Sequence, residues 1–342
     1  MSRGGYGVPV AYVFGGRDDS GNPLDVVQKY YPETYGTEDM FPILFDPATG
    51  EPIAQFVNAQ TDIWSDRYML IDYDWLPQNG PCANIPQVPD RPPGGGGGGG
   101  QNAAPLNPLP EPLYGHAAVA LESKGNIIPP PVWPEGPYCY VFILGGITDS
   151  GVPTNAMRWF NVWQEPPERE EGEPRAGDYS LVSEMPIERA YHSAFVTLPD
   201  KLTDEPWRIV VVGGFDRNGN YISQVDEYTF DSVNNPVMGS WRTVASVPEA
   251  AAGQAAGWQV DDRGTVYRQM CGRTIDGYTG SVYDVLENGS LSLAPTRLVP
   301  RGWVGATQTK VYNEFYTPGG DFYIIGGLTQ MGMDTIVEHY RP

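Results

Sequence analysis

Short runs of β-branched and aromatic residues ending in a glycine pair recur along the chain, and this repetition limits its folds more than any other feature. The runs are AYVFGG (Ala11 to Gly16), YVFILGG (Tyr140 to Gly146), RIVVVGG (Arg208 to Gly214) and FYIIGG (Phe322 to Gly327). A degenerate copy, VYRQMCG, ends at Cys271 and Gly272. Polar turns follow the four intact pairs: RDDSGN from Arg17, ITDSGV from Ile147, FDRNGN from Phe215 and LTQMGM from Leu328. An aromatic returns 15 residues after the first glycine at Tyr30, Phe160 and Tyr228, and 14 residues after it at Tyr340. Such self-similarity marks an array of one supersecondary unit.

Each unit predicts two antiparallel strands joined by a tight turn, whose Asp, Ser, Asn and Gly residues tolerate positive φ and hydrogen-bond their own backbone. A glycine pair closing an apolar strand implies a neighbour that passes too near for a Cβ. After it, Val225, Glu227 and Thr229 alternate with Asp226, Tyr228 and Phe230, which predicts one buried face. A further strand precedes each pair, clearest in YGHAAVAL from Tyr114 and ERAYHSAFVTL from Glu188, weaker in GQAAGWQV from Gly253 and PRGWVGATQT from Pro300. Another follows, as in GSWRTVASVP from Gly239. The unit is therefore four strands.

Composition agrees. With 42 Gly and 34 Pro among 342 residues and only 18% charged residues, long helices are excluded. Aromatics at 12% supply ample apolar area and argue against disorder. The net charge of −21 and the absence of any Lys/Arg run exclude nucleic acid and anionic membranes as partners. Cys82, Cys139 and Cys271 have no CxxC spacing, so neither a disulfide framework nor zinc is expected. The N-terminus lacks a secretory signal and no stretch is long enough to insert in a membrane, so a cytoplasmic or virion-associated protein is expected.

The order from Arg189 through His192, Gly213, Gly214 and Tyr228 to Trp241 resembles the kelch repeat. The resemblance covers most of Tyr114 to Tyr340 and the stretch Ala11 to Tyr30. It implies an all-β fold, a kelch-type β-propeller with five recognisable four-stranded units. Its structural motif would comprise Gly15, Gly16, Gly145, Gly146, Gly213, Gly214, Gly326, Gly327, Tyr30, Tyr228, Tyr340, Trp241, Arg189, His116 and His192.

The repeat breaks between Gly15 and Gly145. Residues 77–113, with seven consecutive glycines from Gly94 to Gly100, read as a Pro/Gly-rich linker or extended insertion. It divides residues 1–76, carrying the first unit or units, from the remaining blades in 114–342 of the same propeller. Residues 41–75 hold a hairpin-like FPILFDPATGEPI and a strand-like RYMLIDYDW, enough for a sixth blade. The chain opens on a Gly-pair strand and stops after the third strand of a unit, so the inventory does not close. A neighbouring subunit could supply an edge.

Three histidines leave little room for metal or acid–base chemistry, and no His spacing suggests zinc. His116 and His192 share a repeat position and are read as structural, each bonded to a neighbouring backbone group; His339 is read alike. The turn from Asp216 to Asn220 is read as a plain turn, not a calcium loop. Sialic-acid mutarotases also have kelch propellers. A mutarotase-like sugar enzyme would need an Arg and an acid at the axis, for which Arg189, Arg208, Arg273, Arg301, Glu188 and Glu227 are available. They are read instead as blade-to-blade pairs. The acidic run Glu165 to Pro174 is read as a solvated loop. The preferred reading is non-catalytic: a binding or structural propeller without cofactor or metal, a subunit of a larger assembly such as a virion or tail. Its partners would be other protein subunits, itself included, or a surface glycan or protein receptor.

Overall fold

The computed structural model describes residues 11–31, 63–65, 108–122, 139–161, 179–197, 207–230, 238–295, 297–308 and 322–341. They form five antiparallel sheets in chain order. The first joins β1 (Ala11–Phe14), β2 (Val27–Tyr31) and β3 (Ile63–Ser65); the second β4 (Ala117–Glu122), β5 (Cys139–Leu144), β6 (Ala156–Asn161) and β7 (Tyr179–Glu184). The third contains β8 (Ser193–Thr197), β9 (Trp207–Val212), β10 (Gln224–Phe230) and β11 (Ser240–Ser246). The fourth contains β12 (Ala255–Asp261), β13 (Gly264–Thr274), β14 (Gly277–Leu286) and β15 (Leu291–Leu293). The fifth has β16 (Gly305–Gln308), β17 (Phe322–Thr329) and β18 (Gly332–Tyr340). Strands pair in sequence order, each sheet a meander, and the first strands β4, β8, β12 and β16 of successive sheets are neighbours. This is a propeller-like arrangement with the first strands around the hub.

The core lies between the sheets. Phe14 and Val27 meet Val141, Ile143 and Phe160 between the first two. Phe142, Leu144 and Met157 meet Ile209, Val211 and Tyr228 between the second and third. Val210, Val212 and Val225 meet Tyr267, Tyr283 and Val285 next, and Met270 and Val282 meet Phe322, Ile324 and Tyr340 last. Successive valines of β9 thus serve opposite interfaces, which is why that run has no polar face. The same stacking corrects the expectation of one buried face on β10: Val225, Asp226, Glu227 and Tyr228 are all buried.

Two flanks differ. Val212 and Val225 are 1% and 0% exposed, but their counterparts Ile325 and Val337 in the fifth sheet are 46% and 57% exposed. On the opposite flank of the series, Val13 is 42% exposed. Of residues 41–75, only Ile63–Ser65 is described, and it pairs with β2 as the first sheet's third strand. The rest of that stretch, the poly-glycine and the acidic run lie outside the described residues. The described end of the 77–113 segment contributes buried Leu109 and Leu113, and Leu113 bridges Leu24.

Candidate functional site

The glycine pairs build one end of the hub. Gly15, Gly145, Gly213 and Gly326 have φ of 58°, 57°, 62° and 61°, the left-handed region. A Cβ on Gly145 would lie 2.5 Å from the Arg189 carbonyl oxygen, and one on Gly213 would lie 2.5 Å from that of Ala251. Those carbonyls belong to the segments leading into the next sheet. The second glycine donates its N–H to them: Gly16 to Leu113 (2.8 Å), Gly146 to Arg189 (2.9 Å), Gly214 to Ala251 (2.8 Å) and Gly272 to Arg301 (2.7 Å). Each pair is therefore a backbone clamp between blades. Gly327 has φ of 116°, and a Cβ there would lie 2.8 Å from the Gly302 carbonyl. Cys271 fills the first-glycine place at φ 56°, fully buried, with burial pushing its thiol up to about 12.

The lead-in segments are tied to the third strand of their own sheets. Buried Arg189 donates to Asp226 and, at 3.3 Å, to the Gly213 carbonyl, and the Thr243 hydroxyl donates to Asp226 at 2.7 Å. Arg301 repeats this with Glu338 at 2.6 Å and the Ile336 carbonyl at 2.9 Å. In the second sheet the polarity is reversed, Arg158 meeting Glu111 at 2.6 Å. These are pairs within a blade, which corrects the blade-to-blade expectation for Arg189 and Arg301. Arg208 does cross, to Glu287 of the fourth sheet, while Glu227 accepts from Arg242 at 2.8 Å and from Tyr267 of the fourth sheet. Glu188 accepts from Arg217 at 2.7 Å.

His192 faces the backbone carbonyl of Leu144 without a well-aligned hydrogen bond to it. It is buried with neither ring nitrogen hydrogen-bonded, whereas Gln254, at the same repeat position, donates to the Val212 carbonyl. Burial holds His192 neutral, reinforced by Arg189 and His116, with the Leu144 carbonyl opposing. His116 is lowered to about 4 by burial, and its Nδ1 has no hydrogen-bond partner. His339 is exposed and stacked on Tyr323 at 4.9 Å. The Tyr228 hydroxyl accepts from the Gly239 N–H at 3.1 Å, and its ring lies 5.1 Å from that of Trp241, whose indole reaches Ser183 of the second sheet at 3.2 Å. Tyr340 is buried beside Phe322, and Tyr30 pairs with Ala11. In the Asp216 turn both carboxylate oxygens are occupied, by the Asn218 and Asn220 N–H groups and the Asn220 side chain, and Asp18 repeats the arrangement.

Sequence reasoning missed the aromatic centre of this face. Immediately before the inner strands, Gly115, Tyr191, Gly253 and Trp303 occupy equivalent places, all left-handed, with φ of 64°, 52°, 60° and 56°. Backbone bonds run around them: Tyr191 N–H to Gly115 (2.6 Å), Gly253 N–H to Tyr191 (2.8 Å) and Val304 N–H to Gly253 (3.3 Å). Bulky side chains at such angles cost about 1–2 kcal/mol each. The glycines make room: a Cβ on Gly115 would meet the Tyr191 ring at 3.0 Å, and one on Gly253 would meet Trp303. Tyr191 lies 4.8 Å from Trp303, 5.3 Å from Phe215 and 6.3 Å from Tyr114, and the Arg17 guanidinium sits 3.6 Å above Tyr114. The signal was present, since ERAYHSA aligned on PRGWVGA puts Tyr191 on Trp303; the left-handed backbone that makes it unusual was not.

Repeat and blade layout together define a propeller-like array of four-stranded units whose repeat resembles the kelch motif. A solved structure described as "Structure of YjhT" shares the fold at TM-score 0.51 and 14% identity, over 97% of this chain and 81% of that one. Beta-scruin of Limulus polyphemus is 35% identical over 85 residues, which is 25% of this chain and only 7% of that protein. No protein-family model matches the chain. Among the described residues no helix is long and apolar enough to cross a membrane, and no three His, Cys, Asp or Glu side chains are grouped to hold a metal ion.

Proposed function

We propose that the chain is a non-catalytic recognition or structural propeller whose contact face is the glycine-pair end of the hub. The carrying observation is how its buried charges are used. Arg189 with Asp226 and Arg301 with Glu338 each anchor a lead-in segment to its own sheet, so these groups are spent on holding loops rather than converging on a reacting atom. Loops fixed on such a frame are suited to recognition. In this reading Gly15, Gly16, Gly145, Gly146, Gly213, Gly214, Gly326 and Gly327 clamp blades, Arg189 ties a lead-in, and Tyr228 and Trp241 brace the outer strands. His116 and His192 fill the hub, with Tyr30 and Tyr340 in the positions of Tyr228. The uncovered flanks at Val13 and at Ile325 and Val337 support a sixth wedge that closes the ring, and residues 1–76 and 114–342 then belong to one propeller.

The biological setting is a subunit of a larger assembly, with other protein chains or a glycan as partner. Light scattering at micromolar concentration is expected to give a mass above the 37.5 kDa of one chain. A monodisperse monomer would remove the assembly. Incubation with freshly dissolved reducing sugars, followed by proton NMR, is expected to show no acceleration of anomer exchange; acceleration would make the chain a sugar enzyme.

A further inference from the structure

We infer that the aromatic centre formed by Tyr114, Tyr191, Phe215 and Trp303 is a binding platform for a neutral hexose oligosaccharide. This deepens the recognition reading and rests on it. Three observations converge.

The first is the backbone. Two blades place glycine at the left-handed lead-in position and two place Tyr or Trp there. The clamp bonds are made with either kind, so the fold does not require the aromatics. Strain of this sort, retained where glycine already serves, points to use of the side chains. The second is geometry. Tyr114, Tyr191, Phe215 and Trp303 are all half-buried, and their rings are linked by contacts of 4.8 to 6.3 Å into one aromatic cluster beside Gly253 and Gly115. The C–H face of a pyranose is apolar and stacks on such rings, while its hydroxyls point outward.

The third is the rim. The turns leaving the glycine pairs carry Asp18, Asp149 and Asp216, and the Asp18 and Asp216 carboxylates are already fixed by their own turns. Fixed carboxylates and neighbouring amides accept and donate hydrogen bonds to hydroxyls without further ordering. Charge decides the ligand class. Arg217 is paired with Glu188, and the Arg17 guanidinium is held over Tyr114, so the rim acids dominate in a chain of net charge −21. Acidic glycans and acidic peptides are repelled, and an apolar peptide would strip water from the rim carboxylates without replacing their hydrogen bonds. An uncharged, hydroxyl-rich ring satisfies both zones.

The test uses the full chain with indole-15N tryptophan, titrated with cellohexaose, mannohexaose and galactohexaose up to about 1 mM, the weak end of specific binding. At least one is expected to shift the Trp303 indole resonance, assigned by its loss in Trp303→Phe. Tyr191→Gly, which leaves that reporter in place, should weaken binding at least about tenfold with the thermal midpoint little changed, because Gly115 and Gly253 show that glycine fits there. Trp303→Gly should do the same, read by calorimetry. An oligogalacturonate should bind more weakly than galactohexaose. If no hexaose moves the indole resonance, or if Tyr191→Gly binds as the parent does, the platform is overturned. Anomeric signals read in the same tubes separate the two claims. Binding with sugar conversion would overturn the non-catalytic reading and leave the platform standing, while no binding and no conversion would do the reverse.

Discussion

At the residue scale, the left-handed positions divide into those that need glycine and those that only prefer it. At Gly213 both the φ of 62° and the Ala251 carbonyl exclude a side chain. Gly213→Ala should therefore cost about 2 kcal/mol or more in urea unfolding, adding backbone strain to a steric clash. Cys271→Gly should stay within about 1 kcal/mol of the parent, because relief of strain at φ 56° offsets the loss of one small buried side chain. A second contrast concerns His192. Its counterpart in the repeat, Gln254, donates to the Val212 carbonyl, where His192 faces that of Leu144. His192→Gln is expected to raise the urea midpoint, and to raise it more at pH 5 than at pH 8. Glycine pairs and the 15-residue aromatic interval were legible because each is a local chemical requirement. Trp303 was not singled out because a tryptophan in a strand-like run reads as core, and its φ is set by the hub.

At the scale of elements, the tie between lead-in segment and third strand governs how firmly each blade holds its loop. Arg189 and Asp226 are both fully buried, so removing one partner strands the other's charge. Arg189→Met alone should cost about 3–5 kcal/mol, and Arg189→Met with Asp226→Leu should cost less than the sum of the single changes. Chemical denaturation of the four-member cycle reads both. In the second sheet Leu113 stands at the Arg189 position, and the tie is made instead by Glu111, two residues earlier, with Arg158 of the third strand. The pattern R-x-x-H is therefore complete at Arg189 and His192 and only half kept elsewhere, as Leu113 with His116 and as Arg301 with Val304. Arg189 was recognised; its partner Asp226 was not, since only the folded lead-in segment brings the guanidinium to Gly213 and Asp226 together.

For the whole molecule, buried His192 and half-buried His116 make stability depend on pH in a defined direction. A group whose folded value is depressed binds its proton more readily in the unfolded chain. The contribution of His116 is therefore complete above its ordinary 6.5 and is lost as the pH falls toward about 4. His192 acts in the same sense. Below that window carboxylates held low by partners add to the loss; burial pushes Glu227 up, but the Arg242 and Tyr267 hydrogen bonds hold it below its usual range. Urea midpoints measured from pH 8 to pH 4 should fall steadily below pH 6.5, and His116→Gln should flatten that fall. A flat profile in the parent would place the histidines in contact with water.

The sequence alone determined the repeat, the strand-turn-strand units and the propeller class, because each rests on requirements that act within a few residues: β-branched runs, turns with Asp and Gly, and a backbone too crowded for a side chain. Tertiary structure decided the rest. Both faces of β10 are buried because sheets stack on either side, and Arg189 finds Asp226 because the folded lead-in segment brings it there. Tyr114, Tyr191, Phe215 and Trp303 become one cluster because lead-in segments far apart in the chain meet around a hub. Such meetings depend on long-range closure, which no local run of residues encodes.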